Sequence, residues 1–201
     1  MLAVAFATIF FTLSSAQADL LSLFHQLKNN RDVNYEVIGA VCEQVAALQL
    51  KEEYGKNYDV TVGIRYFNNQ RTIGELDVVV MRRNDGEAVL VGEVKCWRDL
   101  NSARHKAVTQ LQRFRSHAEN KKSQFDMYSD GTHQYYKKSQ FDEHPTYIGI
   151  AQNGARKAGF EKSLGYSLEE MMRLRKMLLD CHKRGHCDPR SSQQQSKRQQ
   201  R

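Results

Sequence analysis

Ala88-Val89-Leu90-Val91-Gly92-Glu93-Val94-Lys95-Cys96-Trp97 is an apolar run that closes on an acid and a base one residue apart. Its first half has no polar side chain to offer water, the pattern of a strand covered on both faces. Side chains alternate along a strand, so Glu93 and Lys95 leave on one face while Val94 points into the opposite layer. The run at 76–81 is equally apolar, and Arg82-Arg83-Asn84-Asp85-Gly86-Glu87 joins the two through an Asp-Gly turn signal. A hairpin turning about Asp85 sets Asp77 opposite Glu93 and Glu75 opposite Lys95. These four charges then share one end of a sheet face, with Val79, Met81, Val89 and Val91 beneath them.

Outward from this hairpin, residues 33–54 show helical spacing, with Val37, Val41, Val45 and Leu48 as an apolar stripe and Gly55 as the stop. Residues 60–66 alternate with period two, which reads as a half-buried strand. Residues 98–120 read as a helix with Ala103, Ala107, Leu111, Phe114 and Ala118 on one side. A strand follows at 146–151, and Ser167 with Glu170 forms a capping box opening a last helix that runs to about Cys181. The order of helix, three strands, helix, strand, helix predicts an α/β fold, a mixed central sheet flanked by helices.

The polar segment 121–143 reads as an insertion and contains KKSQFD twice, at 121–126 and 137–142. Its Phe125, Tyr128, Tyr135, Tyr136 and Phe141 interleave with Lys122, Lys137 and Lys138. Two readings stand side by side: a surface on which unpaired bases stack, or a protruding hairpin turning at Asp130-Gly131 whose aromatics pack on each other. Residues 189–201 are too polar to fold and read as a disordered basic tail.

The 201 residues suit one ordinary domain over 19–188, and 30 Lys and Arg against 23 Asp and Glu leave a net charge of +7. That balance leans toward an anionic partner, nucleic acid or acidic lipid. Residues 1–18, MLAVAFATIFFTLSSAQA, are uncharged and end in the small-x-small pattern of a cleaved signal peptide. Periplasmic or secreted export is expected, with no stable membrane association after cleavage; the alternative is an uncleaved anchor over 2–18. Outside the cytosol four cysteines read as disulfides, Cys181 with Cys187 and Cys42 with Cys96. Cys181, His182, His186 and Cys187 are also four potential zinc ligands, although their spacing fits no familiar finger.

Buried carboxylates persist only when paired or metal-bound. Asp77 and Glu93 suit Mg²⁺ or Mn²⁺, with Lys95 close enough to hold or deprotonate a water. The competing reading is a salt-bridged hairpin end, with Glu75 and Lys95 paired at the rim.

Gly74-Glu75-Leu76-Asp77-Val78-Val79-Val80, the later Glu93-Val94-Lys95, an earlier helix with Glu43-Gln44-Val45-Ala46-Ala47-Leu48, and a following helix with Gln110-Leu111-Gln112-Arg113-Phe114 occur in fixed order. Together they resemble the PD-(D/E)xK nuclease superfamily, which includes restriction endonucleases and resolvases, over about residues 35–151. The resemblance implies a restriction-endonuclease-like αβββαβ core. It makes Asp77, Glu93 and the Val94 carbonyl the metal ligands and Lys95 the catalytic lysine. Glu43 becomes the first-helix acid, and Gln110 the glutamine that braces the site. Glu36, seven residues before Glu43, competes for the first-helix role. Leu76 replaces the family's proline, and Phe114 stands where the exonuclease branch often has tyrosine.

The implied activity is metal-dependent phosphodiester hydrolysis of nucleic acid, DNA in the first instance, by attack of metal-activated water. Arg104, Lys106, Arg113, Lys121 and Lys122 would hold the phosphate backbone without reading sequence. Cutting both strands would call for a dimer. The alternative is an exported, non-catalytic nucleic-acid-binding or effector-like interaction protein on the same fold.

Overall fold

A computed structural model describes residues 10–30, 33–68, 71–142 and 144–187, with side chains from residue 19 onward. The tail at 189–201, residues 1–9 of the expected leader and the leader's side chains at 10–18 lie outside this description. Where one domain was expected over 19–188, the chain divides into two compact units, one of 32–171 and one of 1–31 with 172–201.

The larger unit is built on a seven-stranded mixed sheet. Its elements are α2 (Ala40–Tyr54), β1 (Tyr58–Asn68), β2 (Arg71–Arg82), β3 (Ala88–Lys95), α3 (Leu100–Glu119), β4 (Asp126–Ser129), β5 (Gln134–Tyr136), β6 (Thr146–Ala151) and β7 (Lys162–Ser163). The strand order is β5-β4-β1-β2-β3-β6-β7. β1, β2 and β3 are successive antiparallel neighbours, and β6 lies parallel to β3. The parallel step needs a crossover, which α3 supplies.

The hairpin register follows the Asp-Gly turn: Val78 pairs with Gly92, Val79 with Val91 and Val80 with Leu90, before a shift that sets Met81 on Ala88. Gly92 lies where neighbouring strands approach closely, since a Cβ there would stand 2.7 Å from Val78 Cγ1 and 3.0 Å from Ile150 Cδ1. Val79, Met81 and Val91 share a buried cluster with Leu111, Phe114 and Ala118 of α3. Val78 and Val80, on the other pleat, are also fully buried. Both faces of β2 are therefore covered, as its unbroken apolar run requires.

The first helix of this unit starts at Ala40, not at residue 33. Asn34 Oδ1 accepts from the backbone N of Glu36, and the Val37 N–H bonds the Asn34 carbonyl. This side-chain turn competes with the helix, leaving Val37 and Ile38 exposed. The buried stripe is instead Val41, Cys42, Val45, Ala46 and Leu50.

The insertion does not protrude. β4 and β5 form the expected hairpin but extend the sheet beyond β1, with Arg65 opposite Tyr128. The two copies of KKSQFD deliver Phe125 and Phe141 to opposite neighbours of one ring, with centroids 6.3 and 5.3 Å from that of Phe114. Tyr136 Oη lies 3.2 Å from Thr61 Oγ1. Core packing, not base stacking, uses these three aromatics.

α4 (Leu168–Lys183) opens on the expected capping box: Glu170 Oε2 accepts from Ser167 N and Oγ at 2.8 Å. In the smaller unit, α1 (Phe10–Leu27) buries Leu20, Leu23 and Leu27, and Leu174 and Leu178 of α4 are buried as well. Cys181 and Cys187 are disulfide-bonded there, which rules out the zinc reading of this segment. Among the described residues no helix is long and apolar enough to cross a membrane.

Candidate functional site

The antiparallel register of β2 and β3 carries Asp77 alongside the end of β3, where the backbone N–H of Val94 donates to Asp77 Oδ2 at 2.7 Å. Alternation then lets Glu93 and Lys95 emerge beside Asp77. Lys95 Nζ donates to Asp77 Oδ2 at 3.2 Å, to the Val94 carbonyl at 3.1 Å, and to Glu93 Oε1. One cationic nitrogen thus sits among two carboxylates and a carbonyl. Asp77 is 9 % exposed and Glu93 1 %, so the cluster is largely withdrawn from water. The competing rim pair of Glu75 with Lys95 does not form: Lys95 turns inward to Asp77 and Glu93, and Glu75 stands opposite Arg65 of β1 in the strand register.

Glu43 stands in the first turn of α2. Gly39, one helical turn before it, leaves room for its carboxylate, since a Cβ at Gly39 would lie 3.1 Å from Glu43 Oε1. Burial, then the charges of Asp77 and Glu75, push the Glu43 pKa up to about 8, against the pull of Lys95. Burial and Asp77 likewise push Glu93 up to about 8. Glu75 is raised by burial first and Asp77 second. Burial alone would depress Lys95, but Asp77 and Glu93 outweigh it and raise the ammonium above its ordinary value. Glu43 is therefore electrostatically part of the cluster, whereas Glu36 precedes the helix and is exposed.

These shifts set a pH dependence. A carboxyl whose folded pKa is raised favours folding below its unfolded value, here 4.5, and that contribution is lost as pH rises to about 8. In EDTA, denaturation midpoints should therefore fall from pH 5 to pH 8, by on the order of a few kcal/mol. A profile flat over this range would contradict the buried cluster.

Gln110 of α3 has a buried carboxamide oxygen without a hydrogen-bond partner among the described residues. Of the basic side chains expected to meet phosphate, Arg104 donates from Nε to the Gly159 carbonyl at 2.7 Å and so also ties α3 to the turn at 155–158. Lys106 Nζ lies 5.1 Å from the centroid of the Trp97 ring. Arg113, Lys121 and Lys122 are exposed.

Two further contributors complete the surroundings of the site, one an expected pairing and one not singled out from sequence. The disulfide Cys42–Cys96 joins the residue before Glu43 to the residue after Lys95, so the cysteines flank the site itself. Gln152, 5 % exposed just past β6, bonds the backbone of Trp97 on both sides. The cysteine positions carried the first signal; the second has none in the local sequence.

Among the described residues no three His, Cys, Asp or Glu side chains form a ready-made metal cluster. The donor set that could hold a divalent ion is the one already gathered around a cation: Asp77 Oδ2, Glu93 Oε1 and the Val94 carbonyl. These are hard oxygen donors of the kind Mg²⁺ and Mn²⁺ take, and they are bonded to the Lys95 ammonium. Comparison with protein families, with curated proteins and with solved structures finds no match for the chain.

Proposed function

We propose that the protein is a metal-dependent nuclease of the PD-(D/E)xK kind, hydrolysing phosphodiester bonds of nucleic acid, DNA in the first instance. The observation that carries this reading is the convergence of Asp77, Glu93 and the Val94 carbonyl on one cation-sized position, with Lys95 already there. The path of the chain supports it: a helix, an antiparallel β1-β2-β3 sheet, a crossover helix and a parallel β6 correspond to the expected αβββαβ core.

Asp77, Glu93 and the Val94 carbonyl would hold Mg²⁺ or Mn²⁺, which when bound neutralises phosphate charge and acidifies a water. Glu43 faces the cluster from the helix side and would add negative charge once a bound cation draws its raised pKa down. Lys95, released from the carboxylates, is available to orient water and offset charge on the phosphate oxygens. The unpartnered Gln110 oxygen can accept from a water or a ligand group. Arg113, Lys121 and Lys122 supply backbone attraction that falls with salt.

The pairing of all four cysteines supports action outside the reducing cytosol, in keeping with the apolar leader. The closed ion trio also suits a second reading, a nucleic-acid-binding module whose site is silent. An assay on plasmid and linear DNA separates the two. With Mg²⁺ or Mn²⁺ the parent chain should cut, and Asp77→Asn and Glu93→Gln should each lose about 100-fold or more. Activity indifferent to both substitutions would defeat the nuclease reading, and calorimetric absence of Mn²⁺ binding would favour the silent module.

A further inference from the structure

β3 runs straight from Lys95 into the chain's sole tryptophan. Trp97 is 46 % exposed, which for so large an apolar ring is a standing cost unless something covers it. Its backbone is nevertheless held on every side. Cys96 is tied to Cys42. Gln152 Nε2 donates to the Trp97 carbonyl at 2.6 Å, and Gln152 Oε1 accepts from the Trp97 N–H at 3.3 Å. Asp99 caps α3 by accepting from the backbone N–H groups of Asn101 and Ser102 at 3.0 and 3.3 Å. The link between β3 and α3 is thus rigid while the indole it carries faces solvent.

The charges around it are basic. Lys106 Nζ stands 5.1 Å from the ring centroid, and Arg98, next in sequence, is exposed. An aromatic face beside ammonium and guanidinium groups is the combination by which proteins grip unpaired bases and their phosphates. Two residues of chain set the Cα of Trp97 at most about 7 Å from that of Lys95, so a base on the ring belongs to a nucleotide near a phosphate in the site. In a duplex the base faces are already stacked on one another, which leaves none for the indole. Of the insertion's five aromatics, Phe125, Tyr136 and Phe141 are spent on packing, whereas Tyr135 is 76 % exposed with its ring centroid 4.8 Å from that of Tyr128.

We propose that Trp97 is a stacking platform for an unpaired base, with Lys106 on the adjoining phosphate, so that the site selects single-stranded nucleic acid. This rests on the reading that Asp77, Glu93 and Lys95 meet a phosphodiester.

The sole tryptophan is also the probe. The full chain is titrated in EDTA, without hydrolysis, with oligothymidylate and oligouridylate of about 20 nucleotides and with a blunt duplex, following indole fluorescence. The single strands should quench it and the duplex should not; the tighter of the two names the preferred sugar. By anisotropy of the labelled oligonucleotide, Trp97→Ala should weaken binding about 10-fold or more, and Trp97→Phe, which keeps a ring, less than about 3-fold. Lys106→Ala should lower the salt slope by about one. Equal quenching by duplex, or Trp97→Ala binding within about twofold of the parent, overturns the platform. A chain that quenches with single strands but does not cut in Mg²⁺ loses the nuclease reading and keeps the platform. One that cuts while Trp97→Ala binds normally does the reverse.

Discussion

Lys95→Met should cost about 3–5 kcal/mol of stability at pH 8 in EDTA, the magnitude for removing one partner of a buried ion pair. The variant keeps most of the side-chain volume and removes the only cation among the described residues that bonds both Asp77 and Glu93. Glu93 is already raised to about 8 with Lys95 opposing the shift, so losing the ammonium raises it further. A raised carboxyl is protonated below its folded pKa and costs nothing there, so the penalty should be small at pH 5 and grow toward pH 8. Mn²⁺ should restore more stability to the variant than to the parent, because in the parent the ion must displace the lysine. Urea unfolding at both pH values, with and without Mn²⁺, reads all of this. An equal loss at pH 5 and pH 8, or no recovery with Mn²⁺, would show that the oxygens do not form a cation site. On the proposed nuclease reading, cleavage by the variant should fall at least about 100-fold even with metal bound.

Reducing Cys42–Cys96 should have the second large effect. The bridge closes a sequence separation of 54 residues, for which loop entropy corresponds to about 4 kcal/mol. That translates into a melting temperature lower by on the order of 10 °C. The bridge ties the N-terminal part of α2 to the end of β3, one residue from Glu43 and one from Lys95, so its loss should also loosen the site. Cys42→Ser with Cys96→Ser is expected to lower both stability and Mn²⁺ affinity. Cys181–Cys187 spans a separation of only 6 residues, is worth about 2 kcal/mol, and belongs to the other compact unit. Its double serine variant should leave metal binding unchanged. Metal affinity falling equally in both variants would show that the Cys42–Cys96 bridge has no special role in positioning the site.

What was legible in the sequence follows from local periodicity. An Asp-Gly turn between two apolar runs sets a hairpin register, and that register alone carries Asp77 next to Glu93, because the turn's type and length fix which residues of the two strands face each other. The alternation that sends Glu93 and Lys95 to one face is equally local. Export chemistry with four cysteines indicated the pairing of Cys42 with Cys96 by elimination.

Other features depended on contacts between segments far apart in sequence. Val37 and Ile38 continue the helical spacing into α2, yet the Asn34 turn draws them out of the helix, a competition between two local solutions that periodicity cannot rank. The insertion's aromatics carried two readings until Phe114 placed Phe125 and Phe141 in the core. Lys95 could reach Glu75 or Asp77 from the same strand position; burial decided, because two withdrawn carboxylates hold an ammonium more strongly than one at the rim. By itself the sequence determined the sheet hairpin and the residues of the charged cluster. Only the tertiary structure decided that the lysine sits between Asp77 and Glu93 and that Gln152 pins the backbone of Trp97, because both depend on which distant groups share a desolvated space.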